Sequence, residues 1–176
     1  MGTTQIIAEP GTQQIEIIRE FDAARELVFR AHTEPDLLVQ WLGPRGLTMH
    51  VDHFEARNGG TWRYTHRDAN GTEYGFHGVF HCTPSVDRIV QTFEVEGAPG
   101  HVSLERLTLE EIDGRTRLHA LSVFQSVTAR DSMIESGMEG GVREGYERLD
   151  ELIASRPGQV TFPPTPGGTD DRAPAH

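Results

Sequence analysis

The sequence predicts an α+β domain in which a seven-stranded, curved antiparallel sheet wraps around a long C-terminal helix, with two short helices between the first and second strands. Three observations lead there. Between Leu47 and about Ser126, β-branched and aromatic residues alternate with polar ones in six runs. These are broken by Asn58-Gly59-Gly60, Asn70-Gly71, Thr83-Pro84-Ser85, Gly97-Ala98-Pro99-Gly100 and Asp113-Gly114. The breaks are too short to hold crossovers, so neighbouring runs pair antiparallel. From Thr128 to Ala154, finally, Ile134, Met138, Val142, Tyr146, Leu149 and Ile153 recur at helical spacing and leave one apolar face to be docked.

Element by element, residues 1–12 contain Gly2, Pro10 and Gly11 with few apolar side chains and read as a flexible N-terminal lead-in. Ile15 to Phe21 is β-branched and roughly alternating, which suits a strand with one buried face. Asp22 is placed to cap a helix whose apolar positions are Ala24, Leu27, Val28 and Ala31. Pro35 separates it from a second short helix over Asp36 to Leu42, which Gly43-Pro44 ends. The six following strands are read as 47–57, 60–68, 72–82, 88–96, 101–111 and 115–126. Thr128 is the expected cap of one continuous last helix, with Asp131 in its first turn. Gly137, Gly140, Gly141 and Gly145 each weaken that helix by about 1 kcal/mol relative to alanine, so they point to close approach to the sheet or to room for a ligand. Residues 156–176, rich in proline and glycine, read as a disordered tail, leaving 13–155 as the folded domain.

At 176 residues the chain holds one ordinary domain. Its 27 acidic and 16 basic side chains give a net charge of −11, which repels phosphate backbones and anionic membrane surfaces, so no nucleic acid and no membrane is expected as partner. A single cysteine, Cys82, excludes an intramolecular disulfide and thiolate-rich zinc sites. No run of 18 apolar residues and no signal-peptide pattern occurs, and a cytoplasmic location is expected. Nine histidines raise the question of a metal, but His77 and His81 stand four residues apart on a strand, about 13 Å, and His50 and His53 lie on opposite faces. No metal and no cofactor is expected.

Several phrases, in this order, carry a resemblance. They are Phe21-Asp22-Ala23 through Val28-Phe29-Arg30-Ala31, Trp41-Leu42-Gly43-Pro44, and Arg57-Asn58-Gly59-Gly60-Thr61-Trp62-Arg63-Tyr64. Further on come Gly78-Val79-Phe80, Pro84, Arg88-Ile89-Val90, Gly114 to Leu118, and Gly137 to Val142 running on to Leu149-Asp150-Glu151-Leu152. The chain resembles the START-like superfamily, also called SRPBCC or the birch-pollen-allergen-like helix-grip fold. Within it the chain is most similar to the branch related to the C-terminal domain of the activator of heat-shock protein 90 ATPase. The resemblance covers about residues 13–155. It implies a helix-grip fold and associates the chain with binding of apolar or aromatic small molecules, with cyclase-type chemistry in some branches and chaperone assistance in another. Where relatives often carry tryptophan after the glycine pair of the last helix, this chain has Val142 and Arg143.

A curled sheet and a helix on its concave face touch at their ends and leave space between, so function is expected in that cavity. Taking the more apolar phase of each strand as inward gives Trp62, Tyr64 and His66; Tyr74, Phe76, Gly78, Phe80 and Cys82; Ile89, Gln91, Phe93 and Val95; Ser103, Glu105, Leu107 and Leu109; and Leu118, Ala120, Ser122 and Phe124. Trp41, as gate or packing anchor, and Met138, Gly141 and Val142 on the last helix complete the expected ligand-binding set. His66, Gln91, Glu105 and Ser122 are the polar minority; they lie at strand ends in water, pair with one another, or await a ligand. Glu105, His66 and Tyr64 are the candidate catalytic residues, a buried carboxylate beside an imidazole being able to move a proton.

The leading expectation is therefore a protein that binds a small, largely apolar or aromatic molecule between helix and sheet. Two alternatives stand beside it: an enzyme of polyketide-cyclase-like or other acid–base chemistry in the same cavity, and a chaperone-ATPase-activator-like stress or interaction protein. A homodimer is expected through an open sheet edge or through an outer face carrying Val79, Val90, Leu121 and Val123.

Overall fold

The computed structural model describes residues 2–156. Its strands are β1 (Gln5–Ile7), β2 (Gln14–Phe21), β3 (Thr48–Phe54), β4 (Thr61–Arg67), β5 (Glu73–Val79), β6 (Ile89–Val95), β7 (Val102–Ile112) and β8 (Arg115–Val123). Its helices are α1 (Arg25–Thr33), α2 (Pro35–Leu38), α3 (Val127–Glu135) and α4 (Met138–Ala154). All strands join one antiparallel sheet in the order β1-β2-β8-β7-β6-β5-β4-β3. The meander from β3 to β8 thus meets β2 along its whole length, from Gln14 opposite Val123 to Phe21 opposite Thr116.

The sheet has eight strands where seven are expected. The additional one, β1, falls inside the stretch read as a flexible lead-in and pairs Gln5, Ile6 and Ile7 with Ile18, Ile17 and Glu16. The Pro10-Gly11 turn, closed by Thr12 N–H donating to the Glu9 carbonyl at 3.2 Å, folds the chain back so that two isoleucines gain a neighbour. The tail expected over 156–176 lies, beyond Arg156, outside the described residues.

The helices differ from expectation in three places. Ala24, not Asp22, occupies the cap position of α1, and no side chain caps it. The second helix is a single turn, Pro35–Leu38, with proline in the first turn where its missing N–H costs nothing; looser turns carry the chain to Leu42. The long C-terminal helix is two helices. Gly137 adopts φ 85°, a left-handed conformation that ends α3 and that glycine reaches without steric cost. Ser126, rather than Thr128, caps α3, its hydroxyl accepting from the Ala129 N–H at 3.0 Å.

The main core lies where β2, β7 and β8 meet α1 and α4. Phe21, Val28, Leu118 and Leu149 are completely buried there. Two buried donors in this half have carbonyl partners: Thr116 donates to Ala23 at 2.7 Å, and the Trp41 Nε1–H to Ala31 at 2.9 Å. Arg19 points inward from β2, binds Asp150 of α4 and Thr4, and sits over the rings of Phe21 and Tyr146. Arg130 fixes α3 to the β1–β2 connection by donating to the Glu9 carbonyl at 2.9 Å. Among the described residues no helix is long and apolar enough to cross a membrane.

Candidate functional site: a cavity between helix and sheet

Beyond this core the concave face is not filled. The strand register stacks inward side chains in rows across β2, β8, β7 and β6: Ile17, Ala120, Leu107 and Ile89 in one, and Ile15, Ser122, Glu105 and Gln91 in the next. Further along, Ser103 stands opposite Phe93. The far wall is β4 and β5, where Trp62 stacks on Tyr64 (centroids 5.4 Å apart) and Tyr64 on Phe76 (5.1 Å), while Phe93 of β6 completes the aromatic surface. Trp62 stands opposite Gly78, and a Cβ there would meet the indole at 2.6 Å, so the glycine lets the ring lie flat across the next strand. From the helix side come Met138, Gly141, Val142 and Tyr146, with Trp41 stacked on Tyr146 at 5.8 Å. These walls enclose about 370 Å³.

The lining is apolar apart from a few groups whose hydrogen bonding is incomplete. Glu105 stands between Gln91 and Ser122; Gln91 Nε2 donates to one of its oxygens at 3.1 Å and the Ser122 hydroxyl to the other at 3.5 Å. Burial pushes the Glu105 carboxyl above its ordinary range, opposed by those two hydrogen bonds. Burial also raises the phenols of Tyr64 and Tyr146, and the nearby Glu105 charge adds to it in both. The Trp62 Nε1–H, the Ser103 hydroxyl, and Nε2 of both His66 and His32 are buried without a partner. Each such group costs about 1–3 kcal/mol, which a bound molecule of matching polarity can recover.

Burial favours the neutral form of both cavity histidines. His32 is held by a 2.7 Å contact between Nδ1 and the Val28 carbonyl, so Nδ1 carries the proton, and burial lowers its pKa to about 4. His66 is also lowered, first by burial, with the Leu42 carbonyl opposing and the Arg148 charge adding to the effect.

The structure places thirteen of the expected ligand-binding residues on the cavity: Trp41, Trp62, Tyr64, His66, Phe76, Gln91, Phe93, Glu105, Leu107, Ser122, Met138, Gly141 and Val142. Phe80 is not among the lining residues. It lies past the end of β5, 1 % exposed, edge-on to Phe54 in a small cluster behind Trp62. Tyr74, expected inward, is 45 % exposed near the start of β5, where the hairpin extends beyond the helix. The carboxylate–imidazole pair is absent among the described residues: Glu105 is bound by Gln91 and Ser122, whereas His66 packs on Gly43 and Phe76. Sequence reasoning missed His32, Leu42, Phe54 and Met133 in the lining. Leu42 and Met133 belong to runs with helical apolar spacing, a signal that could have found them; His32, adjacent to Ala31, had none.

The family described as Activator of Hsp90 ATPase homolog 1-like protein matches residues 22–154. A crystal structure of a protein from Rhodobacter sphaeroides is 29 % identical, spans 88 % of this chain and 100 % of its own, and superposes with a TM-score of 0.80. The solution structure of a protein from Arthrobacter aurescens is 26 % identical over 87 % of this chain and 92 % of its own, with a TM-score of 0.79. DynU16, a protein of the dynemicin biosynthetic locus, is alike in fold alone: 15 % identity, 81 % of this chain, 48 % of its own, TM-score 0.60. No curated protein matches.

Proposed function

The chain belongs to the Activator of Hsp90 ATPase homolog 1-like family, within the START-like superfamily, and from that premise we propose that it binds a small, largely apolar or aromatic molecule between α4 and the curved sheet. The observation that carries this reading is the unfilled volume of about 370 Å³ among aromatic and aliphatic side chains. Close packing is the norm inside proteins, and a space of this size with few convergent polar groups has the make-up of a ligand site. The partnerless Trp62 Nε1–H and Ser103 hydroxyl supply orientation, since a ligand that pairs them removes a standing cost.

Uptake of the uncharged dye N-phenyl-1-naphthylamine tests it. One dye per chain should bind with enhanced emission, and Ala120→Phe, which fills the space from β8, should weaken binding by about tenfold or more with the circular dichroism unchanged. Absence of uptake by the native chain, or uptake indifferent to the filling substitution, overturns the reading.

One observation favours a second reading, an acid–base enzyme in the same cavity. A carboxyl raised by burial lies close enough to Tyr64 and Tyr146 to influence both phenols, an arrangement able to take a proton from a bound carbon acid while a phenol supports the developing oxyanion. Turnover separates the two: a catalyst loses rate rather than affinity in Glu105→Gln. For a chaperone partner no comparable observation exists, because the large exposed apolar side chains among the described residues, Ile7, Tyr74 and Leu104, lie on three different strands.

A further inference from the structure

Building on the ligand-binding reading, we infer that the cavity selects a lipophilic cation: a protonated amine whose ammonium group lies against the Glu105 carboxylate while its apolar body stacks on the aromatic wall. The carboxylate is the starting point. Its two partners, Gln91 and Ser122, are neutral donors, and one of the two bonds is long. Among the described residues no ion pair involves Glu105, although the other carboxylates of the sheet face arginine or histidine repeatedly, as in Arg63 with Glu96 and His119 with Glu16. The shortage is written into the composition. All sixteen basic residues are arginine, so no flexible lysine can reach in. Two inward guanidinium groups are committed elsewhere, Arg19 to Asp150 and Thr4, and Arg148 to the Gly43 and Gln40 carbonyls. Arg106, next to Glu105 in β7, contributes to the cavity wall, but it is exposed and alternation directs its side chain to the opposite face of the sheet, and it forms no ion pair with Glu105.

The surroundings are of one electrostatic kind. Trp62, Tyr64, Phe76 and Phe93 on one side and Trp41 and Tyr146 on the other present ring systems whose faces attract positive charge. An anionic ligand would meet Glu105 with no cation to offset it, and an uncharged hydrocarbon would seal the carboxylate away from water unpaired. A cation supplies the missing partner, and the net charge of −11 favours its approach over the range of the whole-protein field. Burial raises the carboxyl, and only two neutral donors oppose it; an ammonium group beside it would favour the ionised form.

Calorimetry with two probes of nearly equal shape decides the matter: 2-(2-naphthyl)ethylammonium and 2-(2-naphthyl)ethanol at neutral pH. The expected result is that the ammonium binds at least about tenfold more tightly than the alcohol, and that Glu105→Gln reduces this advantage to less than about threefold. Glu105→Asp, which keeps the charge on a shorter stem, should retain an intermediate advantage and guards against a folding defect in the glutamine variant. Equal affinities in the native chain, or an ammonium preference that survives Glu105→Gln, overturns the assignment. If the native chain takes up N-phenyl-1-naphthylamine but not the ammonium, the cation proposal alone is overturned. If it takes up neither, the ligand-binding reading goes with it.

Discussion

The two tryptophans of this chain both reach the cavity, Trp41 from the turns after α2 and Trp62 from β4, and are treated differently. Trp41 is buried where α1, α4 and the β2–β8 side of the sheet close on one another, and its Nε1–H is bound to the Ala31 carbonyl. Trp62, equally buried, lies flat on the β4–β5 side with its Nε1–H unpartnered. The same contrast holds around each. Phe21, Leu118 and Thr116 are sealed and satisfied, whereas Phe93, Ser103 and Glu105 border open volume with polar capacity to spare. One half is a closely packed core. The other half keeps open volume beside buried polar groups that the chain leaves unpaired.

The sharpest way to break that contrast is truncation of a phenylalanine in each half. Phe21→Ala should lower stability by about 3–5 kcal/mol, because it opens a new void in a packed region. Phe93→Ala only enlarges an existing cavity and should cost about half as much or less in urea unfolding. Equal losses would show that both halves are packed alike.

His32 stands at the boundary, between the Trp41 ring at 4.7 Å and the cavity. Its folded pKa of about 4 lies below the ordinary 6.5, so between these values the unfolded chain binds the extra proton. The contribution is therefore intact above pH 6.5 and lost as pH falls toward 4, and it amounts to roughly 3 kcal/mol. Glu105 runs the opposite way, since its raised carboxyl lowers stability as pH rises past the unfolded value. Denaturant melts of His32→Gln should lose most of the acid-side decline; an unchanged pH profile would mean that the imidazole is solvated and the boundary lies elsewhere.

The smallest expected difference is the most specific. Trp41→Phe leaves the Ala31 carbonyl without its donor and should cost about 1–3 kcal/mol, while Trp62→Phe removes a donor that has no partner and should be nearly neutral in the empty protein. Matching thermal shifts for the pair would erase the distinction drawn from hydrogen bonding.

Most of the scaffold and a good part of the cavity wall were legible in the residues. Period-two alternation with turn residues between runs located the six strands from β3 to β8, and the same period put Trp62, Tyr64 and His66 on one face. What escaped depends on tertiary context. Three residues of strand preceding a Pro-Gly turn carry too little periodicity to stand out, so β1 read as a lead-in. The continuous apolar spacing across Gly137 concealed a break that is visible only in its φ of 85°. Phe80 follows the alternation of β5 and still bridges Gln91, but past the end of the strand its ring packs edge-on to Phe54 in the neighbouring cluster instead of lining the cavity. His66 and Glu105, offered together as candidates, share a face without meeting, because alternation specifies a face and says nothing about distance along it. Register specifies distance, and it placed Gln91 and Ser122 beside Glu105.

The union of β2 with β8 has a consequence for biogenesis. The two strands are about a hundred residues apart, so at a synthesis rate of about 5–20 residues per second β2 leaves the ribosome roughly 5–20 seconds before its partner. Throughout that interval Ile15, Ile17 and Ile18 have no strand on the β8 side to shield them, and the nascent chain carries a sticky, unpaired ribbon. Docking of α4 through Arg19 and Asp150 comes later still. The closely packed half of the molecule is the last to be completed, and until then its unpaired strand is the segment most exposed to aggregation.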